Sequence, residues 1–219
     1  MGYEVVLVSS GAIAVGRNKL NMTSKPDSMR MKQAAAAVGQ CSLMYLYDKF
    51  FGDYDKTVAQ ILLNAEDKKE NLINTFNALL EMGVIPIVNE NDSVSYKEIE
   101  SEDRLFGDND MLSAVVAVLC RARHLVILSD IDGFYDHDPR LYPNAKLIEQ
   151  IDTIDDSVYA LAGGAGSRRG TGGMRTKLQA AALATSQGTD TIVTNGKHPE
   201  ALYDIVKGLH AGTLFPGKI

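Results

Sequence analysis

The chain has 219 residues, with 22 Lys and Arg against 28 Asp and Glu, giving a formal charge of −6. That balance argues against nucleic acid or an anionic membrane as the main partner, while small phosphorylated ligands remain open because an acidic protein can still hold anions locally. No apolar run approaches a bilayer span. Glu4 interrupts the short apolar start, so no signal peptide is read. Cys41 and Cys120 lie in apolar helical contexts without metal-like spacing. The expectation is two buried thiols in a reducing compartment, and hence a cytoplasmic protein.

In chain order, residues 3–9 read as a buried strand ending in Ser9-Ser10-Gly11, followed by a helix over 12–19. Residues 21–27 form a loop, and 28–51 carry helical periodicity with a break expected near Gly39. A strand is predicted over 57–63, then a helix over 67–82 stopped by Gly83. The strand over 84–88 contains Pro86, which should sit near its edge or start. Residues 91–106 are polar and irregular, read as a hairpin, before an apolar helix over 108–120 and a strand over 124–128. Helices are expected over 155–162 and 173–187, a strand over 191–194, a helix over 199–207 and a short strand over 212–215. Strands and helices alternate, and the strands are near-continuous β-branched runs. This predicts an α/β fold, a three-layer α/β/α sandwich with an open, mainly parallel sheet.

Gly170-Thr171-Gly172-Gly173-Met174-Arg175-Thr176-Lys177 is the most informative stretch. Glycines that allow close backbone approach, a helix N-terminus and a lysine about one turn inside together make a phosphate cradle. The spacing is not that of a Walker A loop. A glycine-rich loop with a solvated lysine stands as the plain alternative.

In such a sheet, ligands bind beyond the carboxyl ends of the strands, and the other polar motifs fall there. Ser9-Ser10-Gly11-Ala12 offers hydroxyls and N–H groups to an anion, or caps the next helix at about 1 kcal/mol. Asn89-Glu90-Asn91-Asp92 is either a local Asx-type turn or a polar binding cluster. Gly107-Asp108-Asn109-Asp110 opens a helix and so serves its dipole, yet the two clusters exceed what one cap requires. Such groups could bind an ammonium, hydrogen-bond a substrate or help place Mg²⁺. Ser129-Asp130-Ile131-Asp132-Gly133 reads as a turn whose carboxylate could orient a cationic side chain. Residues 134–140 read as a surface loop against which a base could pack, and no histidine belongs to a metal-ligand set.

These motifs, in this order, resemble those of the amino-acid kinase family, over residues 3 to about 215. The Ser-Asp-x-x-Gly and Gly-Met-x-x-Lys elements are shared widely in that family. Asn-Glu-Asn-Asp together with Gly-Asp-Asn-Asp is similar to its glutamate kinases. The resemblance implies transfer of phosphate from ATP, with Mg²⁺, to the side-chain carboxylate of L-glutamate, the opening step of proline synthesis. By matching positions, Ser10, Asp92 and Asn109 would contact glutamate, and Asp108 and Asp110 would shape that site. Ser129, Asp130 and the run Thr171, Gly172, Gly173, Met174, Arg175, Thr176, Lys177 would hold ATP. Lys177 and Asp130 would carry the catalytic role, Asp130 by holding lysines in position, with no protein metal cage. A substrate half over 1–120 would precede a nucleotide half over 121–219. A homo-oligomer and proline as feedback inhibitor are expected by the same resemblance.

Family members start with a further strand of Val-Val-Lys-x-Gly-Ser type and a long helix, and many bacterial ones carry a C-terminal RNA-modification-type (PUA) domain. Residues 1–219 contain neither. The expectations kept beside catalysis are therefore a glutamate- or nucleotide-binding remnant without turnover, or a sibling kinase of another substrate.

Overall fold

The computed structural model describes residues 2–64, 66–94, 109–162 and 171–218, apart from the side chains of Thr171 and Gly172. The chain divides into two compact units, Met1–Leu112 and Ser113–Ile219.

In the first unit a parallel sheet has the order β1 (Leu7–Val8), β3 (Ile85–Glu90), β2 (Val58–Leu63). The strand expected from Tyr3 pairs only at Leu7 and Val8, and Tyr3 is 58% exposed. Pro86 supplies the reason. Ser9 N–H donates to Val88 O at 2.7 Å while Ile85 N–H donates to Thr57 O at 2.9 Å. Alternation therefore turns position 86 toward β1, where proline has no N–H to give. Pro86 is near the start of its strand, as expected, but that strand is central.

β3 also runs two residues further than predicted. Asn89 and Glu90 pair with Leu62 and Leu63, so half of the Asn-Glu-Asn-Asp motif is strand rather than turn. Asn91 N–H donates to Leu63 O, and a turn to Val94 begins there.

Helix α1 (Ala12–Lys19) packs on α2 (Met29–Gly52), which is continuous through Gly39. The break expected at Gly39 is absent because this glycine serves packing. A Cβ on it would collide with the Ala12 carbonyl of α1. Ser28 caps α2 by accepting from Met31 N–H. Helix α3 (Lys69–Glu81) ends before Gly83, whose φ of +72° is the left-handed turn glycine favours. Helix α4 (Asn109–Leu119), which spans the boundary between the units, carries the last two residues of the second acid-amide motif, Asn109 and Asp110, at its start. The hairpin expected over 91–106 lies largely outside the described residues.

In the second unit β4 (His124–Ser129) pairs in parallel with β5 (Asp190–Asn195), and β6 (Thr213–Phe215) is antiparallel to β5. Helices α5 (Asp156–Ala162), α6 (Thr171–Ser186) and α7 (Ala201–Val206) complete it. Its core joins Leu125 and Ile127 of β4, Val193, Phe215 and the small inner face of α6, Leu178, Ala180, Ala181 and Ala184. Phe134 belongs to this core rather than to a surface loop, meeting Phe215 edge-on at 5.5 Å. The expected buried thiols divide. Cys41 is exposed, while burial pushes Cys120 up to about 11. Among the described residues no helix is long and apolar enough to cross a membrane.

Candidate active site

In the first unit β1 leads through Ser9-Ser10-Gly11 into α1, and β3 ends at Glu90. Ser9 is buried, and its hydroxyl shares a 2.8 Å hydrogen bond with that of Tyr47 on α2. The helix cap is Gly11, at φ 90°, with no side-chain hydrogen bond. The serines therefore do not cap α1, and Ser10 is left exposed at the turn.

A small cavity opens beside this turn, lined by Ala12, Ala36, Gln40, Leu62 and the run Glu90, Asn91, Asp92, Ser93. Small residues on α1 and α2 make room there, and the end of β3 delivers the polar groups. Asp92 thus lies in the cavity wall, with Ser10 two residues before another wall residue, Ala12. Asn109 and Asp110 are half-buried at the start of α4 and are not part of that wall, and Asp108 lies outside the described residues.

Sequence reasoning missed Gln40 and Tyr47, which form a supporting layer beside Ser9 and Asn89. Asn89 is 2% exposed, and its amide donates to Gln40 Oε1 at 2.9 Å. The signal was a glutamine beside Ala35, Ala36 and Gly39 on the buried face of α2. A polar residue there needs a partner.

In the second unit Ser129 closes β4 opposite Asn195, and Gly196 N–H donates to Ser129 O at 2.8 Å. Asp130 projects from this edge and receives Arg140 Nη2 at 2.6 Å, both groups largely exposed. The cation that Asp130 orients among the described residues is therefore Arg140, from the loop after Gly133. Asp132 braces the same edge. It accepts from Asn195 Nδ2 at 2.8 Å and the Tyr135 hydroxyl at 3.1 Å. Those hydrogen bonds, Asn195 first, hold its carboxyl below the ordinary carboxylate value.

The glycine-rich stretch differs in one respect from expectation. Helix α6 already begins at Thr171, so Gly172 and Gly173 belong to its first turn. Lys177 is then nearly two turns inside rather than one. It is half-buried. Arg175 stacks its guanidinium over Tyr159 of α5, 5.7 Å from the ring centre, and Met174 packs against the core. Thr176 bonds back to Gly173 O at 3.1 Å. These three side chains anchor the helix start, and the backbone N–H groups of its first turn carry the positive end of the helix dipole. A Cβ on Gly173 would meet nothing within 4 Å. Among the described residues outside its own helix turn nothing packs on this position, although a glycine costs a helix interior about 1 kcal/mol relative to alanine.

Among the described residues no three His, Cys, Asp or Glu groups gather as a metal cage. A Mg²⁺ carried by phosphates would need few protein ligands.

The fold and these two polar edges define a class. Residues 1–195 match the amino acid kinase family, and the chain belongs to it. The glutamate 5-kinase of Clostridium perfringens is 56% identical over 100% of this chain and 82% of its own length. The glutamate 5-kinase of Listeria innocua is 49% identical over 99% of this chain and 80% of its own. Among solved structures, carbamate kinase from Giardia lamblia bound to AMP-PNP aligns with a TM-score of 0.64 at 18% identity. It covers 98% of this chain and 85% of that one. The T. acidophilum isopentenyl phosphate kinase product complex aligns at 0.62 and 17% identity, over 96% and 83%. These structural likenesses show the amino-acid kinase fold; the substrate is argued separately.

Proposed function

We propose that this chain is an ATP-dependent kinase of L-glutamate, forming L-glutamyl 5-phosphate, the opening step of proline biosynthesis. The observation that carries the reading is 56% identity along the whole chain to a protein named glutamate 5-kinase. The polar cavity at the end of β3 and the phosphate cradle at the start of α6 support it.

In this reading the first unit binds the amino acid and the second the nucleotide. Asp92 takes the substrate ammonium, while Ser10, Asn109, Asp108 and Asp110 complete and shape the site. Ser129, Asp130 and residues 171–177 hold ATP. A carboxylate is already ionised at neutral pH, so the acceptor needs no general base. It needs in-line placement and relief of its repulsion with the triphosphate. Lys177 and the first-turn N–H groups of α6 meet the charge that develops on the transferred phosphate. Mg²⁺ bound with ATP adds further neutralisation. Asp130, paired with Arg140, keeps a cation oriented at the nucleotide edge. A cytoplasmic homo-oligomer under proline feedback completes the proposal.

Substrate competition tests it. The full-length protein should show a kcat/KM for L-glutamate well above that for aspartate, N-acetylglutamate or carbamate. Equal or better turnover of any of these rejects the assignment.

A further inference from the structure

We propose that Gln40 is a specificity-determining residue whose Nε2 amide donates to a carboxylate oxygen of the amino-acid substrate. The inference rests on the glutamate reading above and adds a residue on α2 to it.

The argument begins with a backbone group that has no choice of role. Glu90 N–H can only donate, and it does so to Asn89 Oδ1 at 2.9 Å. The accepting atom of Asn89 is therefore its oxygen, and the other end of that amide is its NH₂ group. That NH₂ donates to Gln40 at 2.9 Å, so the Gln40 atom facing it is Oε1. The remaining end of Gln40 is consequently its own NH₂. One fixed backbone donor thus sets the orientation of two successive side-chain amides, the first of them 2% exposed.

Gln40 lines the same cavity as Glu90 and Asp92, and no hydrogen bond of its Nε2 is found among the described residues. The wall therefore combines two acidic residues with one oriented, uncharged double donor. Acidic groups suit an ammonium; an NH₂ suits a carboxylate. An amino acid carries both. A neutral donor attracts the carboxylate without adding a lysine or arginine that would neutralise Asp92.

The test uses full-length protein and calorimetric binding of L-glutamate, L-glutamine and isoglutamine. Gln40→Glu keeps an acceptor for Asn89 and places the second carboxylate oxygen toward the ligand. It should weaken L-glutamate on the order of 100-fold, the scale of like charges brought together. The KM for ATP and Tm should not move. Rescue separates the two substrate carboxylates. Tighter isoglutamine binding by Gln40→Glu than by wild type identifies the α-carboxylate, and tighter glutamine binding the side-chain one. Gln40→Met, which has no donor, should lose about tenfold for L-glutamate and gain for neither amide. Unchanged L-glutamate affinity in a folded Gln40→Glu protein overturns the proposal, as does a loss matched by equal losses of ATP affinity and Tm. Should wild type itself bind no L-glutamate, the functional reading fails instead.

Discussion

Gly16 of α1 and Gly39 of α2 meet backbone to backbone, each taking the space a side chain would need. A Cβ on Gly16 would strike the Ala35 carbonyl, and one on Gly39 the Ala12 carbonyl. Ala12 and Ala36, on the same two helices, line the cavity that holds Asp92. The close approach of the helices thus sets the width of the candidate substrate site.

Gly39→Ala should therefore destabilise the protein by about 3 kcal/mol, the upper range for overpacking, despite alanine's better helix propensity. At temperatures where it remains folded, the KM for glutamate should rise more than that for ATP. Urea denaturation and steady-state kinetics check the two halves of this expectation.

Gly173 provides the opposite case. Among the described residues, nothing beyond its chain neighbours and its own helix backbone lies within 4 Å of the position its Cβ would occupy. Gly173→Ala should leave stability unchanged or raise it by up to about 1 kcal/mol. If the glycine is there for a nucleotide phosphate, the KM for ATP should rise roughly tenfold or more, because small displacements at a reacting centre are costly. An alanine variant with normal ATP kinetics would show that nothing approaches this turn.

Lys177 is half-buried in α6, and the proposed function gives its charge to the phosphate cradle. Lys177→Ala should lower kcat by at least about 100-fold, the scale of one lost electrostatic stabiliser. Its Tm should change little. A folded variant with near-normal kcat would return this lysine to a structural role.

The strand periods, the helix-start glycines and the alternation of elements were legible because each is a local consequence of backbone chemistry. Pro86 was readable as a position near a strand start, yet its effect, shortening β1 to two paired residues, depends on which neighbour its missing N–H faces. Gly39 looked like a helix break in isolation and is a packing contact only because α1 lies against it. Asp92 announced itself by its polar cluster. Gln40 did not, since its orientation is imposed by Asn89, forty-nine residues away in sequence. Likewise, the Arg140 that pairs with Asp130 is carried there by a loop whose course no periodicity encodes.

The Asp132 carboxyl gives a pH dependence with a defined direction. Its folded pKa is depressed, chiefly by the hydrogen bond from Asn195 and then that from Tyr135. Its stabilisation is thus fully present above the unfolded value of about 3.9 and is lost as pH falls through the lower folded value. The Tm difference between wild type and Asp132→Ala should hold steady from pH 7 to 5 and shrink below about pH 4. A difference that grows on acidification would contradict the hydrogen-bond assignment.

The most direct test of the central claim is the identity of the phosphoryl acceptor. Full-length protein incubated with L-glutamate, ATP, Mg²⁺ and hydroxylamine should yield γ-glutamyl hydroxamate in step with ADP, because an acyl phosphate is trapped by the amine. ADP formation that is independent of glutamate, or that proceeds without hydroxamate, would contradict the account.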